Sequence, residues 1–158
     1  MKYIVEKANL EEKKEVLEIY KNLIGEEGCT WDVEYPNIET IESDINNNGL
    51  YSLKIDNNLV GIASLIKEDK VYEEISKFKN PYLLTRVGID KKYQNKGYSK
   101  ILLDKIFEDA KKRKIDLIYL LVAENNVKAK NLYNSFSFKF CMNVYEHSRQ
   151  WELYIKKI

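Results

Sequence analysis

Residues 82–123 read YLLTRVGIDKKYQNKGYSKILLDKIFEDAKKRKIDLIYLLVA, and their pattern of apolar and polar side chains is typical of an α/β unit. The apolar run at 82–89 predicts a strand, and a polar turn containing Gly97 follows it. Apolar residues then recur at helical spacing and predict a helix around 98–113. The nearly continuous apolar run at 116–123 is typical of a central strand covered on both faces. Strand, helix and buried strand in this order imply one parallel, right-handed crossover.

The first half of the chain predicts a strand, two helices and a β-hairpin. Asn9 is placed to cap the first helix, because Glu12 lies three residues later as its capping-box partner. Asn37 is the corresponding cap of the second helix. Two strand-like runs with an Asp/Asn turn between them predict the hairpin. The predicted strands are residues 2–8, 50–55 and 59–66, and the predicted turn is 56–58.

The C-terminal part predicts a further helix and two half-buried strands. Ala129, Leu132, Tyr133 and Phe136 follow one another at helical spacing. Apolar and polar residues then alternate in two runs that join near 146–149. The inward residues are expected to be Phe138, Phe140, Met142 and Val144 in the first run and Trp151, Leu153 and Ile155 in the second. The whole order, β-α-α-β-β-β-α-β-α-β-β, predicts an α/β fold with a mixed seven-stranded sheet and helices on both faces.

Length and composition predict one globular domain that spans residues 1–158. The chain is 44% hydrophobic and 32% charged, which is typical of a folded protein. No apolar run approaches the roughly 20 residues that span a bilayer, and the first ten residues contain no secretory apolar segment. Two cysteines make no disulfide framework, so we expect a cytoplasmic protein without a membrane partner. The single histidine, His147, excludes a multi-histidine zinc site, and we expect no metal.

The net charge of +1 identifies no partner, but the charges are unevenly distributed. Residues 1–50 carry 12 acidic and 5 basic side chains, whereas residues 91–114 carry 9 basic and 3 acidic ones. This asymmetry favours an anionic ligand near the middle of the chain and a cationic ligand near its front. The basic stretch is short and lies mostly on one helix, so we expect no nucleic-acid partner.

The turn at 90–97 is a candidate anion-binding site, because it lies at the carboxyl end of a strand, where ligands of α/β units bind. The first N–H groups of the following helix have no intrahelical partners, and the helix dipole adds roughly half a positive charge. A phosphate placed there would meet both. Gly97 allows a close backbone approach, while Gln94 and Lys96 add donors. The spacing matches neither a Walker A loop nor a Rossmann fingerprint, which disfavours a nucleoside triphosphate or a dinucleotide.

Two stretches of the sequence carry signatures of a known family. QNKGYS at 94–99 is similar to the pattern [Q/R]-x-x-G-x-[G/A], with Ser99 at its last, small position. The stretch from Asn126 to Phe138 is similar to N-x-x-A-x-x-L-Y-x-x-x-G-F, with Ser137 in place of the glycine. Both are signatures of the GCN5-related N-acetyltransferase (GNAT) family. The chain resembles this family over nearly its whole length, and the predicted order of elements agrees with the fold of that family.

The resemblance implies a GNAT-like fold that binds acetyl-CoA where the two strands of the parallel crossover splay into a V-shaped gap. The pantetheine arm would pair with the backbone of Val87, Gly88 and Ile89 like an added strand. The pyrophosphate would rest on the amides of residues 94–99, and Asn126 would contact the cofactor as well as cap its helix. The expected cofactor-binding residues are thus Val87, Gly88, Ile89, Gln94, Asn95, Lys96, Gly97, Tyr98, Ser99 and Asn126.

The reaction implied by the resemblance is the transfer of an acetyl group from acetyl-CoA to a primary amine by direct attack. Tyr133 stands where the family commonly keeps the proton donor for the leaving thiolate, and an N–H group in residues 87–89 is the expected oxyanion donor. The amine must be neutral to attack, so a base would help. Leu121 occupies the position where the ribosomal-protein N-terminal acetylases keep a glutamate. The alternatives are Glu73, Glu74 and Glu124, by position alone, and a chain of waters with no single base.

The sequence alone determines neither which amine accepts the acetyl group nor whether the protein catalyses the transfer. Acidic residues in the first two helices and in 67–81 favour a cationic amine, such as a polyamine, an aminoglycoside or a lysine side chain. The alternative function is a non-catalytic acyl-CoA-binding sensor, because Ser99, Ser137 and Leu121 depart from the family pattern. By analogy with such folds, we expect that the two C-terminal strands could form a homodimer.

Overall fold

A computed structural model describes residues 2–158 of the chain, which form one seven-stranded sheet with helices packed against it. The strands are β1 (Tyr3–Lys7), β2 (Leu50–Ile55), β3 (Asn58–Ile66), β4 (Pro81–Ile89), β5 (Leu117–Ala123), β6 (Lys139–Glu146) and β7 (Arg149–Lys157). The helices are α1 (Lys13–Asn22), α2 (Ile38–Asn46), α3 (Glu73–Ser76), α4 (Tyr98–Lys112) and α5 (Val127–Ser135). In this part of the chain, no helix has the length and the apolar character needed to cross a membrane.

The sheet is mixed, and its strand order is β1-β2-β3-β4-β5-β7-β6. Neighbouring strands run antiparallel except β4 and β5, which run parallel and are connected through α4. The predicted α/β fold, with its mixed seven-stranded sheet and its single parallel crossover, is therefore confirmed.

The parallel pair β4–β5 is short, and this shortness opens the sheet. Pairing covers only Pro81–Leu83 against Leu117–Tyr119. Both strands continue beyond this junction, β4 to Ile89 and β5 to Ala123, without pairing to each other. The predicted splay between the two strands of the crossover is confirmed.

Helices cover both faces of the sheet, as predicted. On one face, α4 buries Leu102, Leu103 and Ile106 in a cluster with alternate residues of β2 and β5. On the other face, α1 buries Val16 and Ile19 in a cluster with α2 and the first residue of β2. Burial of these apolar side chains, each worth roughly 1.5–3 kcal/mol, fixes which face each helix occupies.

The central strand β5 is covered on both sides, as its sequence predicts. Ile118 and Leu120 belong to the cluster under α4, whereas Leu117 and Tyr119 face a second cluster that contains Ile75. Ile75 lies on the short helix α3, which the charged segment 67–81 did not predict. One fully buried isoleucine thus anchors a segment whose other residues give no helical pattern.

Both predicted helix caps in the first half are confirmed. The Asn9 side chain accepts from the backbone N–H of Glu11 at 3.0 Å, and the Glu12 carboxylate accepts from the N–H of Asn9 at 3.0 Å. A single 3-10 turn precedes α1 here. At the start of α2, the Asn37 side chain accepts from the N–H of Thr40 at 2.9 Å. Such caps satisfy donors that would otherwise have no partner at a helix start.

The predicted β2–β3 hairpin is confirmed, with a turn one residue shorter than expected. Asn58 already pairs with Ile55, so the turn consists of Asp56 and Asn57. Both have positive φ, 49° and 69°, as a type I′ turn requires. Asp and Asn tolerate this conformation better than most residues with a Cβ, which explains their place here.

One prediction about the C-terminal strands is wrong: Phe140 does not face the core. Its side chain is 52% exposed and packs edge-on against Tyr154, with ring centroids 5.9 Å apart. The pairing of β6 with β7 shifts between Phe140 and Met142, so a bulge interrupts the alternation. Phe138 therefore lies in the cluster under α4, whereas Met142 and Val144 lie in the cluster around Ile75. An extra residue in a strand exchanges the faces of all residues that follow it.

Candidate active site

A cleft of about 1130 Å³ opens where β4 and β5 diverge. The loop after α1, the second half of β4, the loop before α4, the start of α5 and the β6–β7 hairpin all contribute to its walls. The predicted site residues that line it are Val87, Gly88, Ile89, Gln94, Asn95, Gly97, Tyr98, Ser99, Asn126 and Tyr133. Lys96 is exposed and lies outside the lining. The fold thus brings ten of the predicted residues to one cleft, and their contacts with a ligand stay predictions.

The loop before α4 is held by its own side chains. Gln94, expected to donate to a ligand, instead donates its Nε2–H to the Ile89 carbonyl at 3.0 Å, which joins the loop to the end of β4. Asn95 and Gly97 have φ values of 61° and 81°, so the backbone turns sharply before α4 begins at Tyr98. Gly97 provides no side-chain cap, and a Cβ placed on it would meet no heavy atom within 4 Å. An uncapped helix start that opens into free space fits an anionic group.

The Arg86 side chain on β4 lines the cleft and forms a buried ion pair. Its Nε and Nη2 donate to the two carboxylate oxygens of Asp44 on α2, at 2.9 and 2.7 Å. Ser64 donates to the same carboxylate at 2.7 Å, and Arg86 Nη1 donates to the Tyr35 hydroxyl at 2.9 Å. Sequence reasoning missed this pair. A lone arginine inside an apolar strand and a lone aspartate on an apolar helix face were the available signals, because buried charges need partners.

Tyr133 is positioned by the C-terminal end of α5. The N–H of Phe138 donates to the Tyr133 carbonyl at 3.1 Å, and the N–H of Ser137 donates to the Asn134 carbonyl at 3.0 Å. Together with the φ of 68° at Ser137, these bonds make a Schellman motif. The rings of Tyr133 and Phe138 pack edge to face, with centroids 5.6 Å apart. The motif therefore holds the tyrosine side chain against the core.

The Tyr133 phenol keeps its proton. The residue is 8% exposed and lines the cleft, and burial raises the pKa of its phenol. The hydroxyl makes no hydrogen bond to another residue in the described part of the chain. A neutral phenol with a free O–H in a cleft is suited to donate a hydrogen bond to a ligand.

The left-handed backbone at Ser137 explains why the family signature that residues 126–138 resemble has glycine at this position. We expect Ser137→Gly to raise the free energy of unfolding by about 1 kcal/mol, because a Cβ is disfavoured at positive φ. Urea denaturation of the variant and of the wild type measures the difference. Ser135→Gly, inside the last turn of α5, is the matched control and should destabilise by about 1 kcal/mol. A loss of stability in Ser137→Gly would contradict the assignment of the motif.

Asn126 caps α5, as expected, and it also joins two walls of the cleft. Its Oδ1 accepts from the N–H of Ala129 at 3.1 Å, and its Nδ2 donates to the Gly28 carbonyl at 3.4 Å. Gly28 has a φ of 81°, and a Cβ on it would lie 2.6 Å from Asn126 Cγ. The loop after α1 therefore approaches α5 closely because residue 28 has no side chain. Contact between Asn126 and a cofactor stays a prediction.

The carboxylates of the cleft differ from those singled out in the sequence. Glu73, Glu74 and Glu124 do not line it. Glu68 and Glu146 do, and burial together with these two charges raises the pKa of Tyr119 to about 12. No pattern in the sequence distinguishes them, because Glu146 ends β6 and Glu68 lies two residues after β3, at places where charged residues are common. The five acidic lining residues are Glu26, Glu27, Asp32, Glu68 and Glu146.

Two more residues discussed in the sequence analysis, His147 and Leu121, also line the cleft. His147, expected in the hairpin turn, lies there between β6 and β7, and it also lines the cleft. Leu121 lines the cleft too, at the position without the expected glutamate. Among residues 2–158, no group of three or more His, Cys, Asp or Glu side chains could hold a metal ion.

Comparison with known proteins gives a consistent set of matches. The sequence model of the acetyltransferase (GNAT) family matches residues 15–138. A probable spermine N(1)-acetyltransferase from Bacillus subtilis subsp. natto (strain BEST195) is 39% identical over 95 residues, and a spermine/spermidine N(1)-acetyltransferase from Bacillus subtilis (strain 168) is 38% identical over 95 residues. Each match spans 58% of this chain and 58% of the curated relative.

Solved structures share the fold at low sequence identity. An acetyltransferase of the GNAT family from Streptococcus agalactiae 2603 superposes with a TM-score of 0.81, at 18% identity over 99% of this chain and 95% of that one. The structure of yncA from Salmonella typhimurium, determined with its cofactor acetyl-CoA, superposes with a TM-score of 0.78, at 12% identity over 99% and 94% of the two chains.

Proposed function

This chain belongs to the acetyltransferase (GNAT) family, as its sequence signatures indicated, and from that membership we propose that it transfers an acetyl group from acetyl-CoA to a primary amine of a polyamine. One observation carries the proposal: the cleft between the splayed strands β4 and β5 combines an uncapped helix start with a neutral tyrosine. The uncapped helix start can bind the phosphates of an acyl donor such as acetyl-CoA. The neutral tyrosine can donate a hydrogen bond to the sulfur of the leaving thiol.

The residues of the cleft fit acetyl-CoA as the acyl donor. The backbone amides at 94–99 would bind its pyrophosphate, because the uncapped start of α4 presents N–H groups and a positive dipole end. The cleft-facing edge of β4, from residue 84 to residue 89, has no strand beside it among the described residues and would pair with the pantetheine arm. Bound there, acetyl-CoA supplies an acetyl thioester, which is activated toward an amine.

Two protons must move for the transfer to occur. An alkylamine with a pKa near 10.4 is neutral in only roughly one molecule in 10³ at pH 7, so a proton has to leave the acceptor. Glu68, Glu146 or water in the cleft can take it, since these carboxylates line the same space. Tyr133 donates a hydrogen bond to the departing sulfur. Its raised pKa makes it a late proton donor rather than a strong acid.

The charge of the cleft supports a polyamine as the acceptor. Five acidic residues line it against three basic ones, and one of the basic ones, Arg86, is already paired with Asp44. Such a lining attracts a polycation. The curated relatives named as spermine and spermidine acetyltransferases support the same class, over the 95 residues they share with this chain.

We expect Gly97→Ala to raise the Kd for acetyl-CoA about tenfold, since the alanine disfavours the backbone that presents the amides. Gly25→Ala is the matched control, because both glycines have positive φ and open space around a Cβ, but only Gly97 lines the cleft. Isothermal titration of acetyl-CoA into the wild type and both variants measures the effect. Absence of wild-type binding at hundreds of micromolar, or equal effects of the two substitutions, would contradict the proposal.

The acceptor is tested by release of free CoA thiol in the presence of spermidine, spermine, a lysine peptide and an aminoglycoside. We expect the highest kcat/KM with the polyamines. Their KM should rise when the ionic strength increases from about 0.01 to 0.15 M, because the Debye length falls from about 30 to 8 Å. A preference for the peptide would overturn the polyamine assignment. Binding of acetyl-CoA without thiol release for any amine would favour the sensor function instead.

A further inference from the structure

Strand β4 contains a bulge at the place where it lines the cleft. The pairing of β4 with β3 shifts between Thr85 and Gly88, so that Arg86 and Val87 lie opposite the single residue Ala63. Arg86 has a φ of 51°. This left-handed conformation is disfavoured for any residue with a Cβ, and it persists only where the surroundings hold it.

The surroundings of Arg86 hold it from three directions. Its guanidinium makes a two-pronged contact with Asp44 on α2, and its remaining Nη donates to Tyr35 in the loop before α2. The hydroxyl of Ser64 on β3 fixes the same Asp44 carboxylate. Side-chain exposure is 11% for Arg86 and 5% for Asp44, so the pair is removed from solvent.

Stability alone is a weak reason for such a pair. Desolvation of two charges offsets most of their attraction, and well-packed apolar residues often stabilise a buried site equally well. A planar, two-pronged contact does, however, fix an orientation that an apolar side chain cannot fix. The residue that makes this contact here is the one with the disfavoured backbone.

We propose that the Arg86–Asp44 pair is a positioning device, which holds the β4 bulge and thereby preforms the cleft-facing backbone of Val87, Gly88 and Ile89 for the acetyl donor. This inference rests on the proposed function for its kinetic consequence. Although Arg86 lines the cleft, its guanidinium is engaged by Asp44 and Tyr35, so in this role the pair acts through the backbone of β4. Without the contact, nothing would offset the cost of the left-handed backbone for a residue with a Cβ at position 86. The bulge would then relax toward regular strand geometry, and only a fraction of molecules would present the competent edge.

Comparison of Arg86→Ala with Arg86→Gly separates positioning from direct contact. Both variants lack the guanidinium, but glycine adopts positive φ at no steric cost whereas alanine does not. We expect kcat/KM for acetyl transfer to fall about tenfold further in Arg86→Ala than in Arg86→Gly. Equal losses in the two variants would show that the guanidinium contacts a substrate, and that result would overturn the proposal.

A second measurement needs no turnover and therefore separates this inference from the proposed function. Backbone ¹⁵N–¹H chemical shifts of Val87, Gly88 and Ile89 are recorded in the free protein and in both variants. We expect Arg86→Ala to displace all three and Arg86→Gly to leave them close to the wild type. Unchanged shifts in Arg86→Ala would overturn the inference even if acetyl transfer is observed. If the wild type transfers no acetyl group, displaced shifts still support the positioning role.

Should Arg86→Ala fold poorly, Asp44→Asn provides the same test from the other side. Asparagine keeps the shape of the side chain but loses the charge that orients the guanidinium. We expect displaced shifts of the same three amides in this variant, with the largest change at Val87. Wild-type shifts in a folded Asp44→Asn protein would contradict the positioning role.

Discussion

Replacement of Asp44 with alanine is expected to lower the free energy of unfolding by about 3–5 kcal/mol. The substitution leaves the Arg86 guanidinium, 11% exposed, without its carboxylate, and Ser64 loses its acceptor as well. Burial of an unpaired charge is among the costliest single changes in a folded chain. Urea denaturation, followed by far-UV circular dichroism, measures the loss from the shift of the midpoint.

Glu42→Ala is the matched control for this prediction. Glu42 lies on the same helix α2 and pairs with Lys13 at 3.0 Å, but both side chains are about a third exposed. Exposed pairs contribute about 0–1 kcal/mol, so this variant should remain close to the wild type. The double variant Asp44→Ala/Arg86→Ala should be more stable than the sum of the two single losses predicts. Additive losses would contradict the pairing.

Replacement of Tyr133 with phenylalanine is expected to lower kcat for acetyl transfer about 10²-fold and to leave the Kd for acetyl-CoA unchanged. The hydroxyl is the only group removed, and the ring contact with Phe138 remains. Transfer of a proton from a phenol to a thiolate is already uphill by roughly 2 kcal/mol at ordinary pKa values, and burial of Tyr133 increases this difference. The effect should therefore be smaller than the loss of a strong general acid. Thiol-release kinetics and isothermal titration measure the two quantities.

Tyr20→Phe is the control that separates chemistry from packing. Tyr20 is 1% exposed, its hydroxyl is buried without a hydrogen-bond partner among the described residues, and it lies outside the cleft lining. Loss of that hydroxyl should leave the rate unchanged and the stability equal or slightly higher. An unchanged kcat in Tyr133→Phe would refute the role of Tyr133 as donor to the leaving sulfur.

Local rules were sufficient for much of the fold, because short-range chemistry specifies it. The Asn9 and Asn37 caps and the Asp56–Asn57 turn follow from the hydrogen bonds and backbone angles that these side chains favour. The burial of β5 on both faces follows from its apolar run. The exchange of faces after Phe140 does not follow, because a bulge depends on pairing with the neighbouring strand, which the alternation of apolar residues in β6 does not report.

The sequence could predict only those parts of the candidate site that a single contiguous segment of the chain forms. The loop at 94–99 and Tyr133 lie within contiguous signatures, so the sequence could indicate them. The contacts that join distant segments were hidden, because no local pattern reports a partner 42 residues away, as for Arg86 and Asp44, or 98 residues away, as for Asn126 and Gly28. Arrangement of the acidic lining likewise depends on how loops from different parts of the chain converge.

The three-residue junction between β4 and β5 also has a consequence for how the chain unfolds. Strands β1–β4 form one antiparallel unit and β5–β7 another, and inside the sheet only Pro81–Leu83 and Leu117–Tyr119 join them. Units joined by so few backbone hydrogen bonds open separately more readily than a continuous sheet does. A molecule bound in the cleft would span this narrow connection. Its binding free energy would therefore also make the two units unfold together.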